Sequence, residues 1–131
     1  MKTYIVLIKQ VKAEIEHKHK EIEQVYRDKV NLEQQIEHLI ETLEKEYLEA
    51  STHKAFFNPT YFDRVTNKIK AYRYLLNSKN EEIEQLREEI FSLFSRRKKY
   101  EVLLESFYQE ESRQHQKRQA AQLEDLFRPK L

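Results

Sequence analysis

The stretch that decides the fold is residues 4–43, YIVLIKQVKAEIEHKHKEIEQVYRDKVNLEQQIEHLIETL. Apolar residues recur through it at alternating intervals of three and four, and only Lys18 and Lys29 interrupt them. This heptad pattern predicts an α-helix that packs along a second helix in a coiled coil. The seam positions are Met1, Tyr4, Ile8, Val11, Ile15, Lys18, Ile22, Val25, Lys29, Leu32, Ile36, Leu39 and Leu43.

A second heptad seam of similar length follows, with Lys79 and Arg97 as its polar members. Ser78 and Glu81 have the spacing of a capping box, which signals a possible helix start. The seam keeps its phase through this region, so we expect one continuous helix instead of a break. Its positions are Phe62, Val65, Ile69, Tyr72, Leu76, Lys79, Ile83, Leu86, Ile90, Leu93, Arg97, Tyr100, Leu104 and Phe107.

The chain reverses between the two seams, in residues 51–60. Asn58 suits an N-cap with Pro59 at the first helical position, and Phe57 is placed to pack onto Phe62. Thr60, with Asp63 three residues later, offers a competing cap. We expect a single elongated coiled-coil hairpin over residues 1–131, with helix 1 at about 2–53, the turn at about 54–59 and helix 2 at about 60–126.

Charge indicates how the helices pair. Residues 33–49 contain six Glu and one Lys, whereas residues 63–79 contain five Lys or Arg and one Asp. Folding back at the turn lays these blocks against each other, whereas a parallel homodimer would set each block against its own copy. The predicted fold is therefore all-α, a long two-helix antiparallel coiled-coil hairpin whose C-terminal helix overhangs from about residue 109.

Composition excludes several classes of function. The chain has 131 residues and no Gly or Cys, so glycine-rich phosphate loops, disulfides and thiol nucleophiles are excluded. A net charge of +1 argues against nucleic-acid binding. Glu14 with His17, and Glu16 with His19, have a metal-site spacing, but no second helix supplies a matching pair. We expect no enzyme activity, no metal and no cofactor.

The first residues and the middle of helix 2 are candidates for binding a partner. Tyr4, Ile5 and Leu7 belong to an apolar run that two helices cannot cover, and this run is too short for a signal peptide or a membrane span. The C-terminal overhang or a second copy could cover it, or it could insert into a partner. We expect a cytoplasmic protein without direct membrane insertion.

Basic residues gather at the same end of the predicted hairpin. Arg96, Arg97, Lys98 and Lys99 lie opposite a lysine-rich part of helix 1, which contains Lys9, Lys12, Lys18 and Lys20. A basic run is usually a solvated helix face, but like charges on both helices indicate an acidic partner. Phe91 and Phe94 fall outside the seam and could extend that contact or pack on their own hairpin.

The chain resembles the flagellar export protein FliJ and its type III secretion relatives such as YscO. The resemblance rests on the two-helix layout, on Tyr61-Phe62 and Ile69 after the reversal, and on the run from Arg96 to Glu105. The tail contributes too, where Glu110-Glu111 leads through Gln116-Lys117 to the segment 123–126. The chain departs from the family in its short length, its lack of Trp and its unusually apolar N-terminal run.

The resemblance implies a non-enzymatic central stalk, monomeric alone, whose paired ends enter the pore of a hexameric export ATPase. It also implies contacts with the export-gate membrane protein and with export chaperones, and hence a place at the inner membrane through partners. Ring-facing candidates carried over by position are Arg96, Arg97, Lys98, Lys99 and Leu103. The alternatives are a homo-oligomeric coiled-coil scaffold and a prefoldin-like holdase chaperone.

Overall fold

The computed structural model describes residues 2–53 and 58–128, apart from the side chain of His53. It contains helix α1, Lys2–His53, and helix α2, Pro59–Phe127. The helix α2 runs unbroken through the capping-box signal at residues 78–81, as expected. Among the described residues only Asn58 and Arg128 are not helical, so the all-α prediction is confirmed.

The start of α2 is capped by Asn58. Its side-chain oxygen Oδ1 accepts hydrogen bonds from the backbone N–H of Thr60, at 3.1 Å, and of Tyr61, at 3.3 Å. The backbone N–H of Phe62 donates to the Asn58 carbonyl at 3.1 Å, which begins the helical ladder. Asn58 is therefore the N-cap and Thr60 is not. The predicted packing of Phe57 lies outside the described residues.

The chain divides into two compact units. Unit 1 comprises Met1–Glu16 and Phe91–Leu131, and unit 2 comprises His17–Ile90. Both units contain a part of each helix, so the two helices pack together in each of them.

Unit 2 is an antiparallel helical hairpin with two apolar clusters. In the cluster nearer the turn, Ile36 of α1 packs with Val65 and Ile69 of α2. In the other, Val25 packs with Ile83 and Leu86. Residue numbers fall along α1 as they rise along α2, which confirms the antiparallel pairing.

Unit 1 has one apolar cluster, in which Val11 and Ile15 of α1 pack with Leu93 of α2 and the half-buried Tyr100. Beyond it the described part of α2 is uncovered, because every residue from 105 to 128 is exposed. The predicted overhang is therefore present and begins about one turn earlier than residue 109.

The two predicted seams are the buried stripes of the helices. Every described seam position of α1 is buried or half-buried, and so is every position of the second seam from Val65 to Leu104. The end members of the second seam depart from the prediction: Phe62 is 36% exposed and Phe107 is 40% exposed. Phe107 lies within the uncovered stretch of α2, where no α1 residue is left to pack on it.

Two of the three polar seam members of unit 2, Lys18 and Lys79, are paired with carboxylates on the opposite helix, whereas Lys29 pairs with Glu33 on its own helix. Lys18 Nζ lies 2.9 Å from a Glu89 carboxylate oxygen, and Lys79 Nζ lies 3.7 Å from Asp28. Hydrogen bonding to Glu89, supported by the negative charge of Glu21, raises the pKa of the Lys18 ammonium above its ordinary value. Lys18 and Lys79 thus connect the helices instead of weakening their pairing.

The acidic block, residues 33–49, and the basic block, residues 63–79, attract each other over distances longer than an ion pair. Among the described residues, no ion pair within 4.0 Å joins 33–49 to 63–79. Arg73 does lie along a groove that Glu37 and Glu41 also line, so the charges share one side of the hairpin. Exposed charges at such separations steer pairing more than they stabilise it.

Candidate partner-binding site

All the candidate residues predicted from the sequence belong to unit 1. We call the α2 members of this group, together with Val102, the basic–aromatic surface. Its residues are Phe91, Phe94, Arg96, Arg97, Lys98, Lys99, Val102 and Leu103. An α-helix turns by about 100° per residue, so Phe91, Lys98 and Val102 lie on one stripe. Phe91 is 73% exposed and Val102 49%, so this stripe presents apolar area to solvent on both sides of a lysine.

A second stripe of the basic–aromatic surface lies beside the first. Arg96, Lys99 and Leu103 follow each other at intervals of three and four, which places them on one side of α2. Arg96, Lys98 and Lys99 are exposed, and none has a carboxylate within 4.0 Å among the described residues. Three cations that are close in sequence are thus available for an acidic partner.

Arg97 behaves differently from its three basic neighbours. Its guanidinium lies 5.0 Å from the centre of the Phe94 ring, and its Nε lies 3.5 Å from a Glu101 oxygen. These contacts hold Arg97 half-buried against its own helix, where the second seam places it. Arg97 and Phe94 therefore support the surface from within α2. Its exposed positive charge is carried by Arg96, Lys98 and Lys99.

The apolar run at the start of α1 is partly covered. Tyr4, Ile5 and Leu7 are half-buried and Ile8 is 9% exposed, whereas Val6 is 50% exposed. Residues 105–128, the described part of the C-terminal overhang, are themselves exposed. Apolar area on α1 therefore stays accessible within unit 1.

The lysine excess on α1 is smaller than the sequence indicated. Lys9 and Lys12 are exposed in unit 1. Lys18 belongs to the same lysine-rich part of the sequence, but it forms ion pairs with Glu89 and Glu21 in unit 2. Its charge is neutralised within the fold, so it adds nothing to a basic surface.

The described residues form no site with the features of a metal centre. No group of three or more His, Asp or Glu side chains among them could hold an ion. His17 Nδ1 instead lies 2.8 Å from Glu21 on the same helix. No helix in the described ranges is both long and apolar enough to cross a lipid bilayer.

Sequence reasoning missed Val102 and Val6 as accessible apolar residues of unit 1. The signal for Val102 was present: it follows Phe91 by eleven residues and Lys98 by four, which places all three on one helix face. The signal for Val6 was present too, because Val6 lies midway between the seam positions Tyr4 and Ile8 and therefore on the opposite face of α1. Comparisons with protein-family models, with curated proteins and with solved structures give no match for this chain.

Proposed function

We propose that this chain is a non-enzymatic stalk or adaptor of a flagellar or type III protein export apparatus. In this proposal unit 1 binds a hexameric export ATPase, and the basic–aromatic surface forms the contact. The supporting observation is the group of three exposed cations, Arg96, Lys98 and Lys99, that have no acidic partner within the described residues. The resemblance to the export stalk family supplies the identity of the partner.

The chemistry of the surface suits a protein partner. Interfaces draw most of their binding energy from a few large side chains, such as aromatics and Arg, surrounded by polar contacts. Phe91 supplies an exposed aromatic ring on the same stripe as Lys98, and Leu103 shares a stripe with Arg96 and Lys99. Cations at the edge of such a patch speed up association with an acidic surface and set its orientation.

The family resemblance extends the proposal to two further partners, the export-gate membrane protein and export chaperones. The protein would work in the cytoplasm and reach the inner membrane only through them. It would need no cofactor and no catalytic group, because its effect on the ATPase comes from binding.

The test compares two triple charge reversals of equal size. R96E/K98E/K99E changes the basic–aromatic surface of unit 1, and K20E/K45E/K70E makes the same change in net charge at three exposed lysines of unit 2. We expect the first variant to lose stimulation and oligomerisation of the cognate export ATPase, and the second to keep both. Circular dichroism should show equal helicity for both variants. Full stimulation by R96E/K98E/K99E would refute the assignment of the surface.

A further inference from the structure

Unit 2 contains a groove between the two helices, on one side of the hairpin, that the proposed function does not use. Its floor is apolar and consists of Ile36 and Ile40 of α1 and Leu76 of α2, and its volume is about 440 Å³. Toward the turn it continues, through the shared residue Glu44, into a second groove of about 400 Å³. We call the two together the acidic groove, after the carboxylates on its rim, which are Glu33, Glu37, Glu41 and Glu44.

The rim of the acidic groove carries negative charge that the fold leaves unneutralised. Four Glu and one cation, Arg73, line the first part of the groove, which gives these residues a net charge of −3. Glu33 is paired with Lys29 on its own helix. The other three carboxylates are exposed and have no cation within 4.0 Å among the described residues; they are Glu37, Glu41 and Glu44. A ligand that neutralises them must bring its own positive charge.

The end of the acidic groove nearer the turn presents apolar area to solvent. Tyr47 is 62% exposed and Leu48 is 61% exposed, and both line the groove beside Leu43. Ile40 and Tyr47 are seven residues apart, which is two helical turns or about 10 Å along α1. The groove therefore offers two apolar contacts at the spacing of residues i and i+7 on a bound helix.

The opposite side of the same part of the hairpin has different chemistry. The groove there is lined by the amides of Asn31, Gln34 and Gln35, together with His38 and Lys68. Within the described residues no carboxylate lines that side. The unneutralised carboxylates are thus placed on the side of the hairpin that also carries the apolar floor.

We propose that the acidic groove binds a basic amphipathic helix of another protein. The apolar face of this helix lies on Ile40 and Leu76 at one end and on Tyr47 at the other. Lys or Arg side chains on its flank reach the three carboxylates that the fold leaves without a cation. The apolar contacts supply most of the binding energy, and the charges select the partner and set its orientation.

The inference goes beyond the proposed function and does not rest on it. The proposed contact with the ATPase is a basic surface in unit 1, whereas the acidic groove lies in unit 2 and selects a partner of the opposite charge. Variants of the two surfaces therefore have separate readouts. E37Q/E41Q/E44Q should leave stimulation of the export ATPase unchanged, and R96E/K98E/K99E should leave binding to the acidic groove unchanged.

The first experiment measures binding of a designed peptide to the full chain by fluorescence anisotropy. The probe is a fluorescein-labelled peptide of Leu and Lys, about five helical turns long, with Leu on one face and Lys on the flanks. A peptide of the same composition in shuffled order is the ligand control. We expect the ordered peptide to bind roughly tenfold more tightly than the shuffled one, and E37Q/E41Q/E44Q to weaken its binding roughly tenfold.

The matched control is E46Q/E81Q/E88Q, which removes three exposed carboxylates of unit 2 that do not line the groove. We expect this control to bind the ordered peptide within about threefold of wild type. Circular dichroism should show equal helicity for both triple variants. Equal weakening in the two variants would overturn the proposal, and so would equal binding of the ordered and shuffled peptides.

A second pair of variants tests the apolar contact. Y47S/L48S removes a Tyr and a Leu that line the groove, and Y74S/L75S removes the same two residue types elsewhere in unit 2, where both are also exposed. We expect Y47S/L48S to weaken binding of the ordered peptide roughly tenfold and Y74S/L75S to change it by less than about threefold. Unchanged binding in Y47S/L48S would reduce the site to charge alone and overturn the proposal.

The competing occupant of the acidic groove is the basic–aromatic surface of a second copy. We expect the wild-type chain to stay monomeric in sedimentation velocity from about 10 µM to about 500 µM. A dimer that both E37Q/E41Q/E44Q and R96E/K98E/K99E abolish would show that a second copy fills the groove, and would overturn the proposal. Full ATPase stimulation by R96E/K98E/K99E with peptide binding retained would refute the proposed function alone.

Discussion

Units 1 and 2 use the same kinds of residue in opposite ways. In unit 2 the seam lysines Lys18 and Lys79 pair with carboxylates across the hairpin, and two apolar clusters are buried. In unit 1 three adjacent cations have no such partner among the described residues, and Phe91 is exposed. Unit 2 thus pairs two of its lysines across the hairpin, whereas the three cations of unit 1 stay accessible to a partner.

The difference follows from where α1 can cover α2. Unit 2 has a segment of each helix over its whole length, and there Lys18 and Lys79 each find a carboxylate on the other helix. In unit 1 the α2 segment is much longer than the α1 segment. Charged and aromatic residues on the uncovered length cannot be paired by α1, and they are accessible to other molecules.

The largest expected effect is the loss of a core side chain from unit 2. Leu86 is 6% exposed in an apolar cluster, so Leu86→Ala should lower the free energy of unfolding by about 2–5 kcal/mol. Leu39→Ala should cost less, because Leu39 is only half-buried. Leu103→Ala in unit 1 should change it by at most about 0.5 kcal/mol. Urea unfolding measures all three, and equal losses for Leu86→Ala and Leu103→Ala would remove the contrast between the units.

A smaller effect is expected at the cap that starts α2 in unit 2. Asn58→Ala removes the acceptor for two backbone N–H groups and should lower the free energy of unfolding by about 1 kcal/mol. Thr60→Ala is the control, and it should have little effect because Thr60 does not cap the helix. Thermal unfolding followed by circular dichroism distinguishes them. A larger loss for Thr60→Ala would show that the competing cap is used.

The smallest effect concerns the ion pair of Lys18 and Glu89, whose contribution to stability is lost only at alkaline pH. Because the folded-state pKa of Lys18 is raised, its contribution to stability is complete below the unfolded value of about 10.4 and is lost as pH rises through the raised pKa. Glu89→Gln removes the main cause of the shift. The difference in melting temperature between wild type and Glu89→Gln should therefore be constant near pH 8 and shrink above about pH 10.4. A difference that is unchanged up to pH 11.5 would contradict the assignment.

The sequence predicted the buried stripes well because heptad spacing depends on helix geometry alone. Positions such as Val11, Ile69 and Leu93 are buried as expected, and Asn58 is the predicted cap. The sequence placed Arg97 in the second seam, which agrees with its half-buried position, but it did not give the contacts of Arg97 with the Phe94 ring and with Glu101. It also misplaced Lys18 in a basic surface, since the pairing partner Glu89 is 71 residues away in the chain.

The end of the second seam shows the other limit of periodicity. Phe107 continues the heptad pattern, yet it is exposed because α1 no longer covers α2 there. A pattern shows which face of a helix is apolar, and the length of the partner helix decides how much of that face is buried.

The most direct test of the central claim is hydrogen exchange of the full chain with and without the cognate hexameric export ATPase. Peptides from residues 2–8 and 91–103 should gain protection when the ATPase is added, whereas peptides from unit 2 should exchange at unchanged rates. R96E/K98E/K99E should show no gain at the same ATPase concentration. Protection confined to unit 2, with residues 91–103 unchanged, would contradict the claim that unit 1 is the docking surface.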